Sequence, residues 1–128
     1  MVVGYVGSPE WVDFNLVFRA AAALPEATFA MIGATSADAA VDDPPPANVF
    51  FLGRKDYTSV PAYVDAFDVA IIPFKTEKIM SSADPVKFYE YFALGKPVVS
   101  TPNKQLATFN DGRMLIGCRK LQRISLMP

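Results

Sequence analysis

The chain has 128 residues, 52% of them hydrophobic and 20% charged, a formal net charge of −1, no histidine and one cysteine. This is the make-up of one folded domain with a substantial core, and its near-neutral balance argues against general affinity for nucleic acid. His-based acid–base catalysis, a triad containing histidine, the common zinc sites and an internal disulfide are excluded within these residues.

Val2-Val3-Gly4-Tyr5-Val6 is a short apolar run that ends at Gly7-Ser8-Pro9, which predicts a buried strand and a turn. A helix is expected from Asp13 to Leu24, where Phe14, Val17, Phe18 and Ala21 form an apolar stripe and Pro25 stops it. Ala27 to Gly33 predicts a second strand. The small, acidic and proline-rich stretch Thr35 to Ala47 predicts an exposed loop. Asn48 to Gly53 predicts a third strand. Pro61 to Phe67 predicts a helix, with Thr58 or Ser59 as its cap, and Asp68 to Phe74 a strand covered on both faces. Lys75 to Ala83 reads as a loop. A helix from Pro85 and a strand from Pro97 to Thr101 follow. A weaker helix over Pro102 to Asn110 and a last strand at Met114-Leu115-Ile116 complete the pattern.

Strands alternating with helices predict an α/β fold: a doubly wound parallel sheet, Rossmann-like, in three α/β/α layers. Its first and fourth strands are expected side by side at the centre, with ligands beyond their carboxyl ends. The domain is expected to span 1–117, followed by an atypical tail over 118–128. Residues 103–128 carry five Lys/Arg against one Asp/Glu, which reads as a solvated end, and Cys118 within it has no obvious base beside it. No run reaches the length of a membrane span, and the start lacks a charged signal-peptide segment, so a cytoplasmic location is expected.

The most informative stretch is Asp84 to Thr101. Asp84 suits a helix cap and Pro85 the first helical position. Phe88, Tyr89 and Phe92 are expected on a core face, with Lys87, Glu90 and Tyr91 together on another. The helix start at Pro85-Val86-Lys87 is a natural seat for phosphate, and Glu90 one turn on is placed to accept from a polyol such as ribose. From the pattern alone, however, Glu90 reads first as a solvated residue paired with Lys87, and Lys87 reads equally as surface charge. Arg54-Lys55-Asp56 reads as a charged turn, Ser81-Ser82 as linker, and Trp11 as packing over the first helix.

Phe88-Tyr89-Glu90-Tyr91-Phe92-Ala93-Leu94-Gly95-Lys96-Pro97-Val98-Val99 resembles the donor-binding, C-terminal half of retaining glycosyltransferases of the two-Rossmann-domain (GT-B) type, family 4 or group 1. The likeness extends upstream through Asn48 to Gly53 and Phe67 to Phe74, and to the opening Gly4-Tyr5-Val6-Gly7. The resemblance implies transfer of a sugar from a nucleotide-diphosphate donor to an acceptor hydroxyl with retention, without a cofactor or metal. Carried over by position, Glu90 would bond the donor ribose, and Pro85, Val86 and Lys87 would meet the diphosphate. Arg54 would lie along the base, Gly7 and Ser8 would floor the cleft, and Ser82 would stand near the sugar. Ser82 departs from the family, which often has an acid there, and the usual basic pair after the first strand is missing from Ser8-Pro9-Glu10-Trp11. No catalytic residue is assigned.

The implied partners are the nucleotide sugar and an N-terminal acceptor-binding domain. Self-association is expected through the face such a domain would cover. One competing reading is a non-catalytic nucleotide- or sugar-binding module that acts with a partner subunit. A phospho-acceptor domain is disfavoured, because the first and third strands end in Gly7-Ser8 and Gly53-Arg54 and not in acids.

Overall fold

The computed structural model of the chain describes residues 1–39, 44–75, 86–101 and 114–116, with 86–89 and 114–116 described by backbone alone. Six parallel strands form one sheet: β1 (Val2–Val6), β2 (Thr28–Ile32), β3 (Val49–Gly53), β4 (Val69–Ile72), β5 (Val98–Ser100) and β6 (Met114–Ile116). Their order is β3-β2-β1-β4-β5-β6, so the chain winds outward from β1 in one direction and from β4 in the other. This is the doubly wound order expected of alternating strands and helices.

Each central strand sends alternate residues to opposite faces. Val3 and Tyr5 of β1, Phe29 and Met31 of β2, and Ile71 of β4 pack with α1 (Phe14–Ala23). Ala30, Ile32, Ala70 and Ile72 pack on the other face with Val64 of α2 (Val60–Asp65) and Tyr91 of α3 (Val86–Ala93). Apolar residues on both faces are what a sheet covered by helices on two sides requires. Edge strand β3 is the exception to the expected burial: Phe50 is 49% exposed.

α1 forms where the sequence predicts it. The Asp13 carboxylate accepts from Leu16 N–H at 3.1 Å, and the helix ends at Leu24, just before Pro25. Its last turn is then held from a distance: Asn48 Nδ2 donates to the carbonyls of Ala21, Leu24 and Ala27. α2 begins after Ser59, but the Ser59 hydroxyl turns back to Asp56 O instead of capping the helix. Within the expected Thr35–Ala47 loop lies a short turn at Ser36–Asp38, closed by Thr35 and Asp38.

One expectation about side chains is corrected. Tyr91, grouped with Lys87 and Glu90 on a polar face, is fully buried. Trp11 lies against Phe74, on the loop after β4, with ring centroids 5.9 Å apart. Ser82, Pro85, the weak helix over Pro102 to Asn110, Cys118 and the tail lie outside the described residues. Among the described residues no helix is long and apolar enough to cross a membrane.

Candidate functional site

The crevice of a doubly wound sheet opens where neighbouring strands wind apart, here between β1 and β4. These strands are in register at Val3↔Val69 and Gly4↔Ala70. Two residues later the Val6 N–H donates to a side chain, Tyr91 Oη, at 2.8 Å. α3 is thereby tied to the last residue of β1, although 85 positions separate the partners in sequence.

Gly7 follows at once. Its φ is 155°, and a Cβ there would stand 2.6 Å from Tyr5 Oη. Gly33, at the end of β2, has φ 97°, and a Cβ on it would run into the Gly7 carbonyl. Only glycine fits at position 33, because the turn there approaches the Gly7 backbone, whereas at position 7 a side chain would press on the Tyr5 hydroxyl. Gly7 N–H donates to Ile32 O, and Tyr5 Oη donates to Ser8 O at 2.9 Å. Ser8 itself faces solvent.

The loop after β4 closes one wall. Asp13 N–H donates to Pro73 O and Lys75 N–H to Trp11 O, each at 2.8 Å, and Val12 bridges Phe74. Tyr5 meets the Phe74 ring edge-on. The two loops beyond β1 and β4 are therefore joined by backbone hydrogen bonds and ring contacts.

α3 reaches the end of β1 from the other face of the sheet. Glu90 is half-buried, one residue before the buried Tyr91. Gly95, in the left-handed region at φ 73°, ends the helix, and Lys96 N–H returns to Tyr91 O. Burial pushes the Tyr91 phenol far above its ordinary value, with the Tyr5 phenol and the Glu90 carboxylate adding to the shift against the lowering effect of the Val6 amide. Burial raises the Tyr5 phenol as well. Both hydroxyls stay protonated at neutral pH.

Of the residues selected from sequence, Gly7 and Ser8 form the turn at the crevice, and Glu90 lies on the helix tied to it. Val86 and Lys87 open that helix. Arg54 is exposed just beyond β3, on the same carboxyl edge but separated from β1 by β2. Pro85 and Ser82 lie outside the described residues. The sequence reading missed Tyr5 and Tyr91. It also missed the buried pair Ser100 and Thr101 at the end of β5, whose hydroxyls reach Thr101 O and Ile72 O. An open groove of about 680 Å³ runs along the outer side of α1, lined by Asn15, Arg19 and Pro46 among others, and touches the crevice only at Asp13. Among the described residues no three acidic, His or Cys side chains gather as a metal would need.

Comparison with known proteins agrees with this architecture. Residues 1–121 match the family of glycosyl transferases group 1. The chain belongs to that family. It is 34% identical over 109 residues to the putative teichuronic acid biosynthesis glycosyltransferase TuaH of Bacillus subtilis (strain 168), covering 79% of this chain and 26% of that protein. The solved glycosyltransferase GlyE of Streptococcus pneumoniae TIGR4 superposes with a TM-score of 0.61 at 15% identity, over 98% of this chain and 30% of GlyE. That likeness speaks for the fold alone. The chain thus spans between a quarter and a third of the length of these two glycosyltransferases.

Proposed function

We propose that this domain binds the nucleotide-diphosphate sugar donor of a retaining glycosyltransferase at the β1–β4 crevice. One observation carries the reading: the Gly7 turn and the Glu90-bearing helix, far apart in sequence, are joined at the crevice by the Val6–Tyr91 bond. In this reading the Glu90 carboxylate accepts from the ribose hydroxyls. The backbone N–H groups at Pro85-Val86-Lys87, excepting the proline, and the Lys87 ammonium meet the diphosphate. Gly7 and Ser8 form the floor, Arg54 follows the base, and Ser82 stands near the sugar.

The start of α1 already holds its own carboxylate, Asp13, on Leu16 N–H, which leaves an anion poorly received there. In the reaction the bond between the anomeric carbon and the diphosphate breaks and one to the acceptor oxygen forms, with the acceptor proton released. The acceptor groove and the remaining catalytic groups belong to a second, N-terminal domain. The chain's small share of its relatives' length favours this, and also a variant in which the module acts beside a partner subunit. The relative's description as a teichuronic acid biosynthesis glycosyltransferase makes a cell-envelope polysaccharide the favoured product class.

Calorimetric titration with UDP, GDP, ADP and their sugars tests the reading, with Glu90→Ala as the variant. Loss of the charged acceptor is expected to weaken the preferred nucleotide at least about tenfold, the scale of one hydrogen bond to a charged group. Equal affinity of the two proteins removes Glu90 from the site. Sugar transfer by this polypeptide alone contradicts the need for a second domain.

A further inference from the structure

Val6 is where the sheet ends and the crevice begins. Its amide is given to Tyr91 Oη from the α3 side of the sheet. Two residues on, the carbonyl of Ser8 receives Tyr5 Oη from the α1 side. One turn, Val6 to Ser8, is therefore held from two faces by two buried phenols. Packing does not need either hydroxyl, since a phenyl ring fills nearly the same volume. What the hydroxyls add is direction, because a hydrogen bond fixes distance and angle where apolar contact does not. Burial keeps the Tyr5 hydroxyl protonated and able to donate to Ser8 O, whereas Tyr91 accepts the Val6 N–H through its oxygen.

From this geometry we infer that Tyr91 is a positioning residue for the nucleotide-diphosphate site, its hydroxyl setting where Glu90 stands relative to the Gly7–Ser8 turn. Residues 90 and 91 are adjacent on one helix, so a rotation of α3 about its axis that takes Tyr91 off the Val6 amide carries Glu90 through the same angle. Binding groups must be held to about 0.5 Å to act together, and a supporting contact of this kind achieves that. Tyr5 serves the same turn from beneath, by holding the Ser8 carbonyl. The inference rests on the donor-binding reading above and goes further by naming what aligns the two halves of the site.

The test is Tyr91→Phe in the full 128-residue chain, titrated calorimetrically with UDP, GDP and ADP, with Val64→Ala as a packing control in the same core cluster. Tyr91→Phe is expected to keep its circular dichroism spectrum, to exchange the Val6 amide faster, and to bind the preferred diphosphate at least about tenfold more weakly. Val64→Ala is expected to lose stability and keep its affinity. If Tyr91→Phe binds within about twofold of the unaltered chain, the positioning role is overturned while Glu90 remains testable by its own variant. If the unaltered chain binds none of the three diphosphates, both readings fall. Should Tyr91→Phe not fold, the unaltered chain still decides: saturating diphosphate is expected to shift the Val6 amide resonance and leave that of Phe29, at the start of β2, in place. A Val6 resonance that ignores the nucleotide overturns the role.

Discussion

α1 and α3 each follow a central strand and leave the same edge of the sheet, on opposite faces. α1 is closed on itself: Asp13 fills its start, Asn48 binds the carbonyls at its end, and Phe14, Leu16, Val17, Phe18, Ala20 and Ala21 are buried beneath it. α3 is held differently. Tyr91 anchors it to Val6 by one buried hydroxyl, and its neighbour Glu90 is half-buried. A helix capped and buried within its own surroundings serves as structure, and one tethered to the end of β1 sets how its residues stand relative to the crevice turn.

Substitutions separate these two roles. The largest loss is expected where the crevice turns touch. In Gly33→Ala the new Cβ meets the Gly7 carbonyl in a backbone conformation that disfavours side chains, so a loss of at least about 3 kcal/mol is expected in urea unfolding. Alkaline titration ranks next. The phenols of Tyr5 and Tyr91 are raised above their ordinary value of 10 by burial, so above that pH the unfolded chain releases protons that the folded chain keeps. Stability is therefore complete below pH 10 and falls above it, by about 1.4 kcal/mol per pH unit for each phenol. Tyr91→Phe is expected to halve that slope, and an unchanged slope contradicts the burial of its hydroxyl. The smallest effect belongs to α1: Asp13→Ala is expected to cost about 1 kcal/mol through the lost cap and to leave nucleotide affinity unaltered. A nucleotide-binding defect in that variant places the ligand on the wrong helix.

Both helices can be delimited from sequence. A capping aspartate, an apolar stripe and a terminal proline mark α1, and α3 begins just after Pro85 as its signals predict. The winding of the sheet was legible for a similar reason, because strands apolar on both faces alternate with helices. Tyr91 was not legible. Its grouping with Lys87 and Glu90 suggests a polar face, whereas its hydroxyl meets an amide of β1 that lies beyond the paired stretch of β1 and β4. Asn48 has the same character, since its three carbonyl partners lie 21 to 27 residues earlier. The glycine at position 7 could be assigned to a turn from sequence, but not its dependence on Gly33, which arises from contact between neighbouring strands.

The most direct measurement is amide chemical-shift mapping of the labelled chain titrated with UDP, GDP and ADP. The crevice account predicts that the preferred diphosphate shifts Gly7, Ser8, Val86, Lys87 and Glu90 together and leaves Asn15 and Arg19 on the outer side of α1 in place. Shifts confined to the α1 groove, or none at Gly7 and Glu90 at saturation, contradict it.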